Sequence, residues 1–205
     1  MTDHPTHGPI VVLAGGLSHE RDVSLRSGRR VAQALRDQGR VVIESDLTPD
    51  LIELLRGLEN PVAFPVLHGG VGEDGGLQQV LTLLDVAYVG SEPGACRRAF
   101  NKAVVGPLIA QAGLARPHMA ALPHDMFREL GSAALVAALG ERIGFPMIVK
   151  PARSGSALGC TKVGSAAELP SAMVGAYSYG DLAVIEEFVD GTEVAVSVIE
   201  QDGVP

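Results

Sequence analysis

The chain has 205 residues, a mass of 21.3 kDa and a formal net charge of −8: one large domain or two small ones, with a surface ill-suited to phosphate backbones, so no nucleic-acid partner is expected. Hydrophobic residues are 46%, aromatics 4%, Trp is absent and mean hydropathy is +0.23, which predicts an aliphatic core and excludes a disordered chain. Two cysteines without zinc spacing, no apolar run of about 18 residues and a polar stretch over residues 1–9 predict a reduced cytoplasmic protein without a membrane partner.

Residues 10–14 form a short unbroken apolar run, the pattern of a strand covered on both faces, and Gly15-Gly16 ends it. A helix follows over 19–38, with Val23, Val31 and Leu35 near one face and Gly39 as its stop. Strands at 41–43, 62–67 and 86–89 alternate with helices at 49–58 and 75–84, which predicts a parallel α/β layer. The texture changes near 95–101. Helices at 101–112, 126–139 and 165–177 then mix with strands at 118–122, 145–150, 160–163, 183–188 and 193–200, the pattern of an α+β unit with an antiparallel sheet. Gln201-Asp202-Gly203 is a hairpin turn signal whose return strand would begin at Val204-Pro205, so the chain reads as part of a longer protein.

Of the 16 basic residues only Lys102, Lys150 and Lys162 are lysines. Lys150 ends an apolar strand and precedes the loop at 153–159, whose Gly and Ser residues can turn backbone N–H groups toward phosphates; a solvated hairpin tip is the alternative. The spacing is not that of a Walker A loop, since a strand follows. Lys102 stands near a helix start, where an anion is favoured, or it is an ordinary surface lysine. Glu186, Glu187 and Glu193 lie in or beside apolar strands, suited to amino and vicinal hydroxyl groups or simply to a solvated face. Glu20, after the first strand, suits an ammonium group or the helix dipole. Residues 68–76 hold five glycines, which suggests a backbone passing close to something; His68 opens that stretch and suits a carboxylate or a structural role.

Taken in order, these segments resemble the bacterial D-alanine–D-alanine ligases of the ATP-grasp superfamily. The segments are Gly15-Gly-Leu-Ser-His-Glu20-Arg-Asp-Val-Ser24, His68-Gly-Gly-Val-Gly-Glu-Asp-Gly, Asn101-Lys102, Ile-Val-Lys150-Pro-Ala-Arg-Ser-Gly-Ser156 and Glu186-Glu-Phe-Val-Asp-Gly-Thr-Glu193. The resemblance implies a Rossmann-like parallel α/β domain at 1–98, a small ATP-grasp subdomain at 99–180 and the start of the large one at 181–205. It implies a reaction in which ATP phosphorylates the carboxylate of one D-alanine and the amine of a second displaces phosphate, in peptidoglycan synthesis. Glu20 would hold the first D-alanine's ammonium, with His68 near its carboxylate. Lys102 and Lys150 would bind ATP phosphates, under a lid loop carrying Ser156. Glu186 and the backbone at Glu187 and Val189 would meet adenine, and Glu193 the ribose. The resemblance also implies Mg2+ or Mn2+ and a homodimer; the metal ligands and a transition-state Arg belong to family segments beyond residue 205, so the 205 residues alone are expected to be inactive.

Two departures stand out. Asn101 replaces the usual Asp before the Lys, and Gly76 replaces a Thr or similar residue. Three alternatives stay open: another ATP-grasp carboxylate–amine ligase, a D-alanyl-D-lactate ligase, and a non-catalytic nucleotide-binding module.

Overall fold

The structure, a computed structural model, describes residues 8–200. Four parallel strands, β1 (Ile10–Leu13), β2 (Val42–Ser45), β3 (Val62–Pro65) and β4 (Ala87–Tyr88), form the first sheet in the order β2-β1-β3-β4. β1 lies inside the sheet and is sealed on both faces, with Val11, Val12 and Leu13 at most 1% exposed, as its unbroken apolar run requires. One face packs on α2 (Leu51–Gly57) and α3 (Gly76–Leu83) through Leu51, Leu55, Leu77 and Leu81. The buried stripe of α1 (Arg21–Asp37) is Ser24, Gly28 and Ala32, not Val23, Val31 and Leu35, and Val23 is exposed. These small residues repeat every four positions, so they share one helix face and let α1 approach the sheet closely.

The second half has α4 (Pro93–Phe100), α5 (Lys102–Gln111), β5 (Met119–Pro123), α6 (His124–Leu130), α7 (Ser132–Ile143), β6 (Met147–Pro151), β7 (Thr161–Val163), α8 (Leu169–Tyr177) and β8 (Leu182–Glu187). Its sheet is antiparallel in the order β5-β8-β6-β7. Met147, Val149, Ala183 and Ile185 point into one core with Leu169, Met173 and Ala176 of α8. Strand side chains alternate, so Lys150 and Glu186 emerge together on the opposite face. The register pairs Lys150 with Val184 and Ile148 with Glu186, which makes the two charged residues diagonal neighbours. The expected α/β layer followed by an antiparallel α+β unit is therefore present.

Three details differ from the sequence reading. Helix α4 was not expected. The helix expected over 126–139 is two, broken at Gly131 (φ +85). Residues 193–200 are not a strand: no described strand pairs with them, and Val194, Val196, Val198 and Ile199 are 71–82% exposed. The return strand at Val204-Pro205 lies outside the described residues. No described helix is long and apolar enough to cross a membrane.

Candidate active site

Two loops at the C-terminal ends of β1 and β3 build one wall of the site, the usual ligand position in a parallel sheet. The Ser18 hydroxyl donates to the His68 carbonyl at 2.5 Å and accepts from the Glu20 N–H at 3.1 Å, so it ties the two loops and orients the first residue before α1. The Glu20 carboxylate lies against Gly69, where a Cβ would stand 2.7 Å from Oε2; with φ at +71, glycine is required there twice over. This is the close approach that the glycine-rich stretch suggested.

The loop after β6 forms the opposite wall. Ser156, exposed and with φ at +48, donates from its hydroxyl to Glu20 Oε1. The two segments therefore meet across a cleft of about 290 Å3, lined by Ser18, Glu20 and Gly69 on one side and Arg153, Ser154 and Leu158 on the other. Tyr179, after α8, reaches the same cleft and stacks edge-on against His19 at 5.9 Å. The His68 ring faces a neighbouring apolar pocket of about 230 Å3 with Leu17, Leu47, Leu67 and Val71, and its Nε2 is buried without a hydrogen-bond partner.

Lys102 and Lys150 converge behind this loop. The Lys102 backbone N–H donates to the Ala152 carbonyl at 2.9 Å, and its ammonium donates to the Ser154 carbonyl at 2.6 Å. Buried Asn101 caps α5 by accepting from the Ala103 N–H at 3.1 Å, work that needs only one oxygen and tolerates the loss of the usual Asp. Burial pushes the Lys102 pKa down from its usual value, and the Lys150 charge pushes the same way, against the acidic groups Cys160, Glu186 and Glu73. A second positive charge acting on Lys102 favours an anion beside the two. Lys150 is ion-paired with Glu186, both side chains being about one-fifth exposed (22% and 18%).

The remaining candidates are less gathered. The Glu187 N–H donates to the His118 carbonyl at 2.9 Å inside the sheet, which leaves a ligand no access to it. Phe188 carries the Lys162 ammonium over its ring at 3.5 Å, beside exposed Val189. Glu193 is exposed in the extended stretch, with no hydrogen bond or ion pair joining it to the lysines. Five cleft residues escaped the sequence reading: His19, Phe100, Arg153, Ser178 and Tyr179. His19 and Arg153 lay inside quoted motifs; Phe100 ends α4, Ser178 and Tyr179 follow α8, and none of the three carried a signal.

Comparison with known proteins gives this arrangement a context. The family model for the D-ala D-ala ligase N-terminus matches residues 50–91, and that for the D-ala D-ala ligase C-terminus matches 108–204. The chain belongs to the D-alanine–D-alanine ligase family. A D-alanine--D-alanine ligase from Marinomonas sp. is 38% identical over 201 residues, covering 96% of this chain and 61% of the relative. The solved ligase from Helicobacter pylori is 25% identical with a TM-score of 0.72, covering 90% of this chain and 65% of that one. The Bacillus anthracis ligase complexed with ATP is 27% identical with a TM-score of 0.75, covering 90% and 60%. The chain thus spans about 61% of the length of curated relatives such as the Marinomonas ligase.

Proposed function

We propose that the protein carrying this chain joins two D-alanines into D-alanyl-D-alanine at the expense of ATP. The convergence of Lys102 and Lys150 beside the Gly/Ser loop, within reach of a cleft headed by Glu20, is the observation that carries the reading. The lysine ammoniums bind the ATP phosphates, Lys102 leaving the Ser154 carbonyl and Lys150 loosening from Glu186 as it does so. Glu186, freed in part, accepts from the adenine amino group, with the Glu187 carbonyl and the Val189 backbone at the ring edge; Glu193 takes the ribose hydroxyls. Glu20 holds the ammonium of the first D-alanine, with Ser156 over it and His68 toward the carboxylate. That carboxylate oxygen attacks the γ-phosphorus and ADP leaves. The second D-alanine's amine then attacks the acyl carbon, the C–O bond breaks, inorganic phosphate leaves and the amine loses its proton. Positioning and charge neutralisation supply the catalysis.

In this reading the division at 1–98, 99–180 and 181–205 separates the substrate-binding domain from the two ATP-grasp subdomains. The protein works as a cytoplasmic homodimer in peptidoglycan precursor synthesis. Among the described residues no group of three or more His, Cys, Asp or Glu side chains is placed to hold a metal ion, so the Mg2+ or Mn2+ that the family implies finds no ligand set there. The test is ADP release and dipeptide formation from D-alanine by the protein at the full length of its relatives, beside Lys150→Ala. Dipeptide from the parent alone supports the reading; no dipeptide from the parent sinks it.

A further inference from the structure

Asp46 follows β2 and does not line the cleft, yet it is built into the loop that presents Glu20. Its Oδ1 accepts from the Gly16 N–H at 2.6 Å and the Leu47 N–H at 2.7 Å. Its Oδ2 meets Arg21 Nη2 at 2.6 Å, and Arg21 Nη1 donates to the Gly16 carbonyl at 2.8 Å. Both polar groups of Gly16 are thus held, one by Asp46 and the other by Arg21, and the two side chains hold each other in a closed ring. The fit is tight: a Cβ on Gly15, where φ is +109, would stand 2.4 Å from Asp46 Oδ1. From inside, the fully buried Ser24 hydroxyl accepts from the Gly15 N–H at 2.8 Å and donates to the Val66 carbonyl at 2.7 Å. Glu20 sits directly before Arg21 on this fixed backbone.

The charges tell what the ring is for. Burial alone would raise the Asp46 pKa, but hydrogen bonds from Arg21, Gly16 and Leu47 outweigh it and hold the carboxyl below its usual value. The Arg21 and Asp46 side chains are 46% and 24% exposed, and an ion pair so open to water adds little to stability. Its value lies in where it puts the backbone. A misplacement of about 1 Å at a substrate-binding group costs far more in rate than such a pair gives in stability.

We propose that Asp46, acting with Arg21, is a positioning residue for Glu20: it fixes the Gly16 peptide and thereby the angle at which the Glu20 carboxylate meets the first D-alanine's ammonium, without touching that substrate. This rests on the ligase reading. The test compares the full-length protein with Asp46→Asn, which keeps an oxygen for both backbone amides but turns an NH2 toward the Arg21 donors. The expected result is a rise of about tenfold in KM for the first D-alanine, with kcat and the KM for ATP within about twofold. Amide exchange at residues 16–20 quickens in the same variant while the thermal midpoint stays put. Arg21→Lys, which keeps the charge but loses the fork, reproduces the split and serves if Asp46→Asn does not fold. Equal changes in both KM values, an unchanged D-alanine KM, or unchanged exchange at 16–20 overturns the proposal. If the parent makes no dipeptide, the ligase reading falls, and the exchange data alone sustain or overturn the clamp.

Discussion

The two loops that face each other across the cleft are held in different ways. The 15–20 loop is pinned from three sides, by Asp46, Arg21 and Ser24, through groups that no ligand needs. The 153–160 loop closes mostly on itself: the Ser154 hydroxyl contacts the carbonyls of Gly155 and Leu158, and the Leu158 and Cys160 N–H groups turn back to Gly155 and Ala157. Its ties to the rest of the site include the Lys102 ammonium at Ser154 and the Ser156 hydroxyl at Glu20. Those are groups that phosphate and an amino acid would claim. One wall is pinned through groups outside the cleft; the other is held by contacts that, under the proposed function, substrates would replace. Binding energy is then spent on ordering the cover and not the base.

The contrast can be broken most forcefully at Lys150. Lys150→Ala removes the proposed phosphate ligand and leaves Glu186 unpaired, so affinity for a non-hydrolysable ATP analogue, read by calorimetry, falls roughly 10- to 100-fold. On the fixed wall, Ser24→Ala orphans the buried Gly15 N–H and the Val66 carbonyl, which lowers stability by about 1–3 kcal/mol in urea unfolding. Next comes a pH effect. Lys102 has a lower pKa folded than unfolded, so between the two values the folded chain binds fewer protons, and stability rises with pH from the folded pKa up to the usual 10.5. A bound polyanion restores that proton: titrations in two buffers of different ionisation enthalpy show proton uptake on analogue binding in that window, and Lys102→Met abolishes it. Smallest of all, Ser156→Gly removes one exposed contact and relieves a positive φ, so the thermal midpoint shifts by less than the equivalent of about 1 kcal/mol.

The first sheet was legible because apolar runs such as Val11-Val12-Leu13 admit one reading. Elements whose form depends on neighbours were not. Residues 193–200 alternate well but lie exposed, since strand propensity counts only when a partner supplies the other half of the ladder. Helix α4 was hidden by Pro93-Gly94 at its start and by its lack of any buried residue. In the site, the Glu20–Ser156 meeting and the lysine convergence were reached through the order of motifs. The Asp46 ring was invisible, because a lone Asp after a strand carries no spacing signal and only folding brings it to Gly16.

The stacking of Lys162 on Phe188 has a practical side. With three ε-amines in the whole chain, amine-acylating reagents become a sparse footprinting probe. Lys162 is exposed and serves as the reference, whereas Lys102 and Lys150 are part-buried and their acylation slows if an anion binds at them as proposed. A mass spectrum of labelled peptides therefore reads occupancy directly, without a coupled assay.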